Sequence, residues 1–237
     1  TRIGELATTA EAYVLLERVR GTITTELLLA ATTEAPAPTL DRHKNSVAFN
    51  AVTSAQELAG DGVISLTHTS TGSNLAVFAG IANRELPPAA STSTTYGGTS
   101  MTELFDSAAF GVFNKIAGYS LAGQATGAQT VTNTLAATTN EHTLGVISMT
   151  GVDQTTPVGT SNTAFGVSTA PSVTVASVGA DDMVVDVLFS AGDGAAVVGA
   201  DQTERYRQGL DGLREVLGST QTGTAGGVMS WGNTSSP

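Results

Sequence analysis

The stretch "VISLTHT", residues 63–69, alternates residue by residue. Side chains of an extended chain point to opposite faces at a period of two, so this pattern describes a strand with one wet and one buried face. "SVTVAS", residues 172–177, repeats it. Working outward, further strand-like runs occupy residues 47–52, 75–82, 94–96 with 101–105, 111–121, 129–136, 144–150, 183–190 and 227–232. Turn formers separate them: Gly60-Asp61-Gly62, Thr71-Gly72-Ser73-Asn74, Gly97-Gly98 and Gly192-Asp193-Gly194. Many short strands with no convincing helix between them predict an all-β chain, an antiparallel β-sandwich or jelly roll. A parallel sheet would need crossover helices, which the sequence does not offer.

One segment reads two ways. "DQTERYRQGLDGLREVLGSTQ", residues 201–221, has Leu210, Leu213 and Leu217 at helical spacing, but Gly209 and Gly212 weaken a helix. A hairpin with strands at 204–208 and 214–217 is the preferred reading.

Residues 1–31 differ in character. Leu6, Ala10, Tyr13 and Val14 recur at helical spacing with Glu11, Glu17 and Arg18 at polar positions, and from Gly21 the text "GTITTELLLAATT" turns β-branched. The expectation is an N-terminal arm with a short helix, then an extended piece. The rival reading is a first helix packed on the same domain. A linker follows at "TTEAPAPTLDRHKN", residues 32–45, stiffened by Pro36 and Pro38. Two units are thus expected: arm and linker over 1–40, serving assembly and anchoring, and a β-sandwich domain over 41–237. Leu27, Leu28 and Leu29 are costly to leave exposed, so with Leu6, Tyr13 and Val14 they are the expected assembly contacts.

Apolar residues make up 41% of the 237 and charged residues 13%, a composition that supports a folded chain. The net charge is −11, and no Lys or Arg lies between Lys115 and Arg205. That disfavours nucleic acid and anionic membrane surfaces as partners. Without cysteine there is neither a disulfide nor a thiolate metal site. No apolar run approaches the ~20 residues of a membrane span, so membrane insertion is not expected. The N-terminus lacks a signal-peptide pattern, and Thr1 is what removal of an initiator Met leaves, so cytoplasmic synthesis is expected.

Sites are sparse. His43 lies in the linker beside Arg42 and Lys44, His68 is assigned to the outward side of its strand, and His142 to the loop "TTNEHT". None are spaced as metal ligands on one element. Asp153, Asp181, Asp182, Asp186, Asp193 and Asp201 offer oxygens for calcium, yet no D-x-D-x-D-G loop is present and Asp also serves turns directly. Glu103, Asp106 and Glu141 could form a carboxylate pair, but nothing in sequence joins them. There is no G-x-S-x-G elbow. "VVDVLFSAGDGAAVVG", residues 184–199, fails the dinucleotide-binding spacing. No catalysis, cofactor or metal is expected.

"ISMTGVDQTTPVGT" (147–160), "SVTVASVGADDMVVDVLFS" (172–190), "GADQTERYR" (199–207) and "GGVMSW" (226–231) together resemble a family of phage and bacterial β-sandwich, jelly-roll-like domains. Members tend to carry a strand ending in "GVDQTTP", a strand pair around "DDLVVDV", a "QTER" segment and a final strand like "VTMSW". Upstream, "ISLTHTSTGSNLAVFAGI" and "TTYGGTSMTEL" fit the same pattern. The likeness spans residues 46–232 and brings no catalytic residues. It implies a bacteriophage virion structural protein, a capsid decoration or a tail or fibre component. Capsid or tail subunits are the implied partners, and a homo-oligomer such as a trimer is the implied state. The alternative is a carbohydrate-binding or adhesive module of a secreted bacterial protein, extracellular and binding host-surface glycans. Tyr96, Tyr119 and Tyr206 would then be the surface aromatics, with Trp231 in the core. "GVDQTTP" itself reads as a corner of the sheet rather than a ligand loop.

Overall fold

The computed structural model describes residues 46–84, 89–107, 114–166, 168–191, 196–209 and 214–232, all within the unit Lys44–Pro237. The arm, its short helix, its assembly contacts and His43 lie outside the described residues. In chain order the strands are β1 (Ala48–Gly60), β2 (Val63–Ser70), β3 (Ala76–Arg84), β4 (Ser91–Tyr96), β5 (Thr99–Ser100), β6 (Thr102–Asp106), β7 (Asn114–Ala122) and β8 (Gly127–Leu135). They continue as β9 (Thr139–Thr150), β10 (Ser172–Thr174), β11 (Met183–Ala191), β12 (Val197–Val198), β13 (Gln202–Gly209), β14 (Arg214–Thr222) and β15 (Val228–Gly232). Every pairing is antiparallel. Residues 202–209 and 214–222 pair as the antiparallel strands β13 and β14 and not as a helix, so the glycines outweigh the leucine spacing.

A five-stranded sheet, β1-β9-β3-β7-β6, occupies the middle. The sheet β2-β8-β4-β5 packs on one face and the sheet β11-β14-β13 on the other, so there are two sheet-on-sheet interfaces. In β3, Val77, Ala79 and Ile81 meet Ile64, Leu66 and Val131 of the first flanking sheet. Its other set, Ala76, Phe78 and Ala82, joins the clusters that contain Val185 and Val187 of the second. This explains why β3 reads as a continuous apolar run without alternation: both its faces are buried. A small sheet, β10-β15-β12, caps the far side of β11-β14-β13 through Trp231, Leu217 and Leu188.

The chain passes from the central sheet to the first flanking sheet at Asp61-Gly62. Asp61 accepts the Val63 amide at 3.0 Å, and Gly62 stands at φ +86°, where a Cβ would meet the Ala137 carbonyl oxygen at 2.4 Å. On the opposite face, Gly145 of β9 pairs with Gly80 of β3, which pairs with Gly118 of β7. This row of glycines forms a trough. The Tyr206 ring lies in it over Gly145, where a Cβ would come within 2.1 Å of the ring, and Phe105 lies over Gly118.

Tyr206 is buried, and its hydroxyl has no hydrogen-bond partner among the described residues. An unmet buried hydroxyl costs free energy that a phenyl ring does not. Tyr206→Phe is expected to raise stability by about 1 kcal/mol in urea unfolding. A loss of stability would reveal an unseen partner for the hydroxyl.

Candidate functional site, an apolar groove beside a buried aspartate

Among the described residues, the central sheet has five strands and the sheet facing it three. Contacts of Gln208 with Ser54 and of Arg205 with Phe49 set β13 over β1, while β11 lies across β3 and β7. At ~4.8 Å per strand, the mismatch leaves a shelf about 10 Å wide beyond β11. The shelf and the segment from Asp153 to Val178 enclose a groove of ≈ 470 Å³. Its floor includes Phe78, Phe105, Ile116 and Met149, and its inner wall is Met183 to Leu188 of β11. The roof is held by polar contacts: Thr160 donates to the Ala176 carbonyl at 2.8 Å, Asn162 to the Thr174 carbonyl at 2.9 Å.

"GVDQTTP" forms the entrance to this roof. Asp153 Oδ1 accepts the amides of Thr155 at 2.8 Å and Thr156 at 3.3 Å, and those bonds hold its carboxyl below the usual range. Gln154 Nε2 donates to the Val152 and Leu75 carbonyls. Gly151, at φ +72°, supplies the left-handed residue that lets the strand leave the sheet. The segment is a corner in its bonding and a groove wall in its placement.

Behind the groove lies Asp186. Its Oδ1 accepts the Ser219 amide and hydroxyl, both at 2.8 Å, and its Oδ2 accepts Trp231 Nε1–H at 2.8 Å. Burial pushes its carboxyl up to about 6, against the pull of those three bonds. Gln202 joins the same cluster, donating to Ser219 Oγ at 2.9 Å and accepting the Ser230 amide at 2.6 Å. The segments "DDMVVDV", "QTERYR" and "VMSW" therefore meet at one place. Arg207 is held by Glu204 and Glu215, and Glu215 also takes the Ala196 amide at 2.7 Å.

Two histidines depart from expectation. His68 shares the inward face with Ile64 and Leu66 and is fully buried between sheets, not turned outward. His142 lies in β9 and not in a loop, also fully buried. Ser148 donates to Asn50 Oδ1 at 3.1 Å, so it accepts from His68 Nε2 at 3.0 Å, leaving His68 Nδ1 to accept from Thr53 at 3.1 Å. The imidazole thus donates to the serine, the reverse of what a general base does to a nucleophile. Asn133 is fixed by donating to Ser91, Ser93 and Thr94, so its Oδ1 accepts His142 Nε2–H at 2.8 Å. His142 Nδ1 is left bare and buried. Burial pushes His142 down to about 4 and lowers His68, keeping both neutral.

Ser148→Ala would strand the His68 Nε2–H in the interface. A loss of about 2 kcal/mol is expected from thermal and urea unfolding. An unchanged midpoint would mean the ring finds another acceptor.

The carboxylates stay apart in role. Glu103 accepts the Tyr119 hydroxyl at 3.0 Å, Asp106 pairs with Lys115 at 2.6 Å, and Glu141 with Arg84 at 3.3 Å. Among the described residues, no three His, Asp or Glu side chains converge as a metal would require. Tyr96, Tyr119 and Tyr206, the expected surface aromatics, are instead 2%, 3% and 5% exposed, because each ring fills an inter-sheet layer. Trp231 is buried as expected. Comparison with protein-family models, with curated proteins and with solved structures finds no match to this chain.

Sequence reasoning missed the groove. No local pattern encodes a mismatch in strand number between two sheets. The available signal was the doubly apolar run 75–82, which marks a strand buried on both faces and hence a third layer.

Proposed function

We propose that this chain is a structural protein of a bacteriophage virion, a capsid decoration or a tail or fibre component, and not an enzyme. Its layered β body is displayed, and residues 1–40 hold neighbouring subunits through Leu6, Tyr13, Val14, Leu27, Leu28 and Leu29. It is made in the host cytoplasm and assembles there as a homo-oligomer such as a trimer. The observation that carries this reading is how the resembling segments are used. Asp186, Gln202, Gln154 and Trp231 are committed to hydrogen bonds within the body, as expected of residues selected for a stable scaffold. The burial of Tyr96, Tyr119 and Tyr206 also removes the three rings named for stacking in the carbohydrate-binding alternative.

The test is direct. Full-length chain mixed with empty capsids and with tail tubes is expected to add ordered density in electron micrographs of one of them. Removing residues 1–40 is expected to abolish the addition. No addition to either, with a monodisperse monomer by light scattering with and without residues 1–40, contradicts the proposal. Glycan-array binding that survives loss of residues 1–40 supports the alternative.

A further inference from the structure

We propose that the groove takes an extended strand of a partner protein, basic and apolar at alternate positions, paired to the edge of β11 that no described strand covers. Nothing in this inference depends on where the chain is displayed.

The first argument is the edge. In the described sheet β11-β14-β13, β11 is paired only to β14. Six successive residues, Met183 to Leu188, line the groove. Side chains from both faces of a strand can border one cavity only if the strand presents its edge to it. That edge spans ~20 Å of backbone at ~3.4 Å per residue. It is apolar and lacks three of the usual protections: "MVVDVLFSA" has no Lys, no Pro and no bulge in its register with β14. Its one charge, Asp186, is turned to Trp231 and Ser219. An edge left this way invites another strand.

The second argument is the floor and the charge. A strand added beside β11 points alternate side chains to opposite faces. One set would meet Phe78, Phe105 and Ile116 and must be apolar. The other set would face the side that holds Asp186, with Asp153 at the entrance. Among the described residues, no Lys, Arg or His lines the groove, and the sequence has no Lys or Arg between 115 and 205. A Lys or Arg of the partner strand placed opposite Asp186 or at Asp153 complements those two carboxylates; an acidic residue there is repelled.

The probe is a capped eight-residue peptide alternating Val with Lys and Thr, titrated into the full chain. Trp231, the only tryptophan, borders the groove and reports occupancy by fluorescence. Saturable binding is expected, weakening with salt, with new hydrogen-exchange protection on the amides of β11. A peptide with Glu for Lys is expected to bind roughly tenfold more weakly, a difference of about 1.4 kcal/mol. Asp153→Asn keeps a side-chain oxygen for the turn, so it should fold normally and weaken only the basic peptide. Equal binding of both peptides overturns the charge argument. Protection away from β11 overturns the site. Amides of β11 already as protected as those of β14 in the free protein, or concentration-dependent self-association that protects β11, would mean that the chain itself covers this edge and would also overturn the proposal.

Discussion

Gly145→Ala is expected to lower stability by about 3 kcal/mol, roughly 6–12 °C in Tm for a chain of this size. The reason is distance. A Cβ at Gly145 would sit 2.1 Å from the Tyr206 ring, and that ring has little room to retreat, because it also lies close over Gly218 of its own sheet, where an added Cβ would likewise fall 2.1 Å from it. Phe189, Val52 and Ile147 pack in the same cluster. Relief needs the sheets to part, which opens the whole second interface. Combining Gly145→Ala with Tyr206→Leu is expected to recover part of the loss, since the smaller side chain frees the trough. Equal stability of Gly145→Ala and the parent in urea would show that the ring does not lie where the structure puts it.

The second large effect depends on pH. Asp186 is pushed up to about 6 when folded, against roughly 3.9 for an unfolded aspartate. Between those values the folded chain keeps a proton that the unfolded chain releases. Its contribution to stability therefore falls as pH rises through the window, and the penalty of about 3 kcal/mol is complete above pH ~6. His142 runs the other way. It is pushed down to about 4 when folded, against roughly 6.5 unfolded, so the unfolded chain gains a proton on acidification that the folded chain refuses. That contribution, also about 3 kcal/mol, is present above pH ~6.5 and lost towards pH ~4. His68 shifts in the same direction as His142. The buried aspartate thus offsets acid destabilisation by the buried imidazole.

Asp186→Asn removes one side of this balance. The variant is expected to lose about 3 kcal/mol more than the parent between pH 6.5 and pH 4. At pH 7 the two should be close: the amide sheds a buried charge, but its NH2 then faces donors, either Trp231 Nε1–H or Ser219. Urea unfolding at pH 4, 5 and 6.5 decides it. Parallel pH profiles for parent and variant would refute the assignment.

Much of this fold was legible because strands announce themselves at a period of two. The runs at 63–69, 129–136 and 183–190 all became strands, and the glycines at 209 and 212 correctly argued for a hairpin. What local reading missed is what depends on stacking. His68 shares parity with Ile64 and Leu66, so its burial was readable, but its polar side chain argued for water until Thr53 and Ser148 were seen to satisfy it. Tyr96, Tyr119 and Tyr206 look like surface rings by composition; only the presence of two inter-sheet layers gives all three a place inside. The fit of Tyr206 to Gly145 joins residues far apart in sequence and has no local sign. The groove has none either, since it comes from three strands facing five.

All of these features require that the five-strand sheet be enclosed on both sides. Native-state hydrogen exchange tests this most directly. Amides of β3 and of the central part of β9 are expected to exchange only through global unfolding, the slowest in the chain, with those of β2 and β13 faster. Should β3 exchange as readily as those outer strands, the enclosed sheet does not exist, and the trough, the buried histidines and the groove lose their foundation.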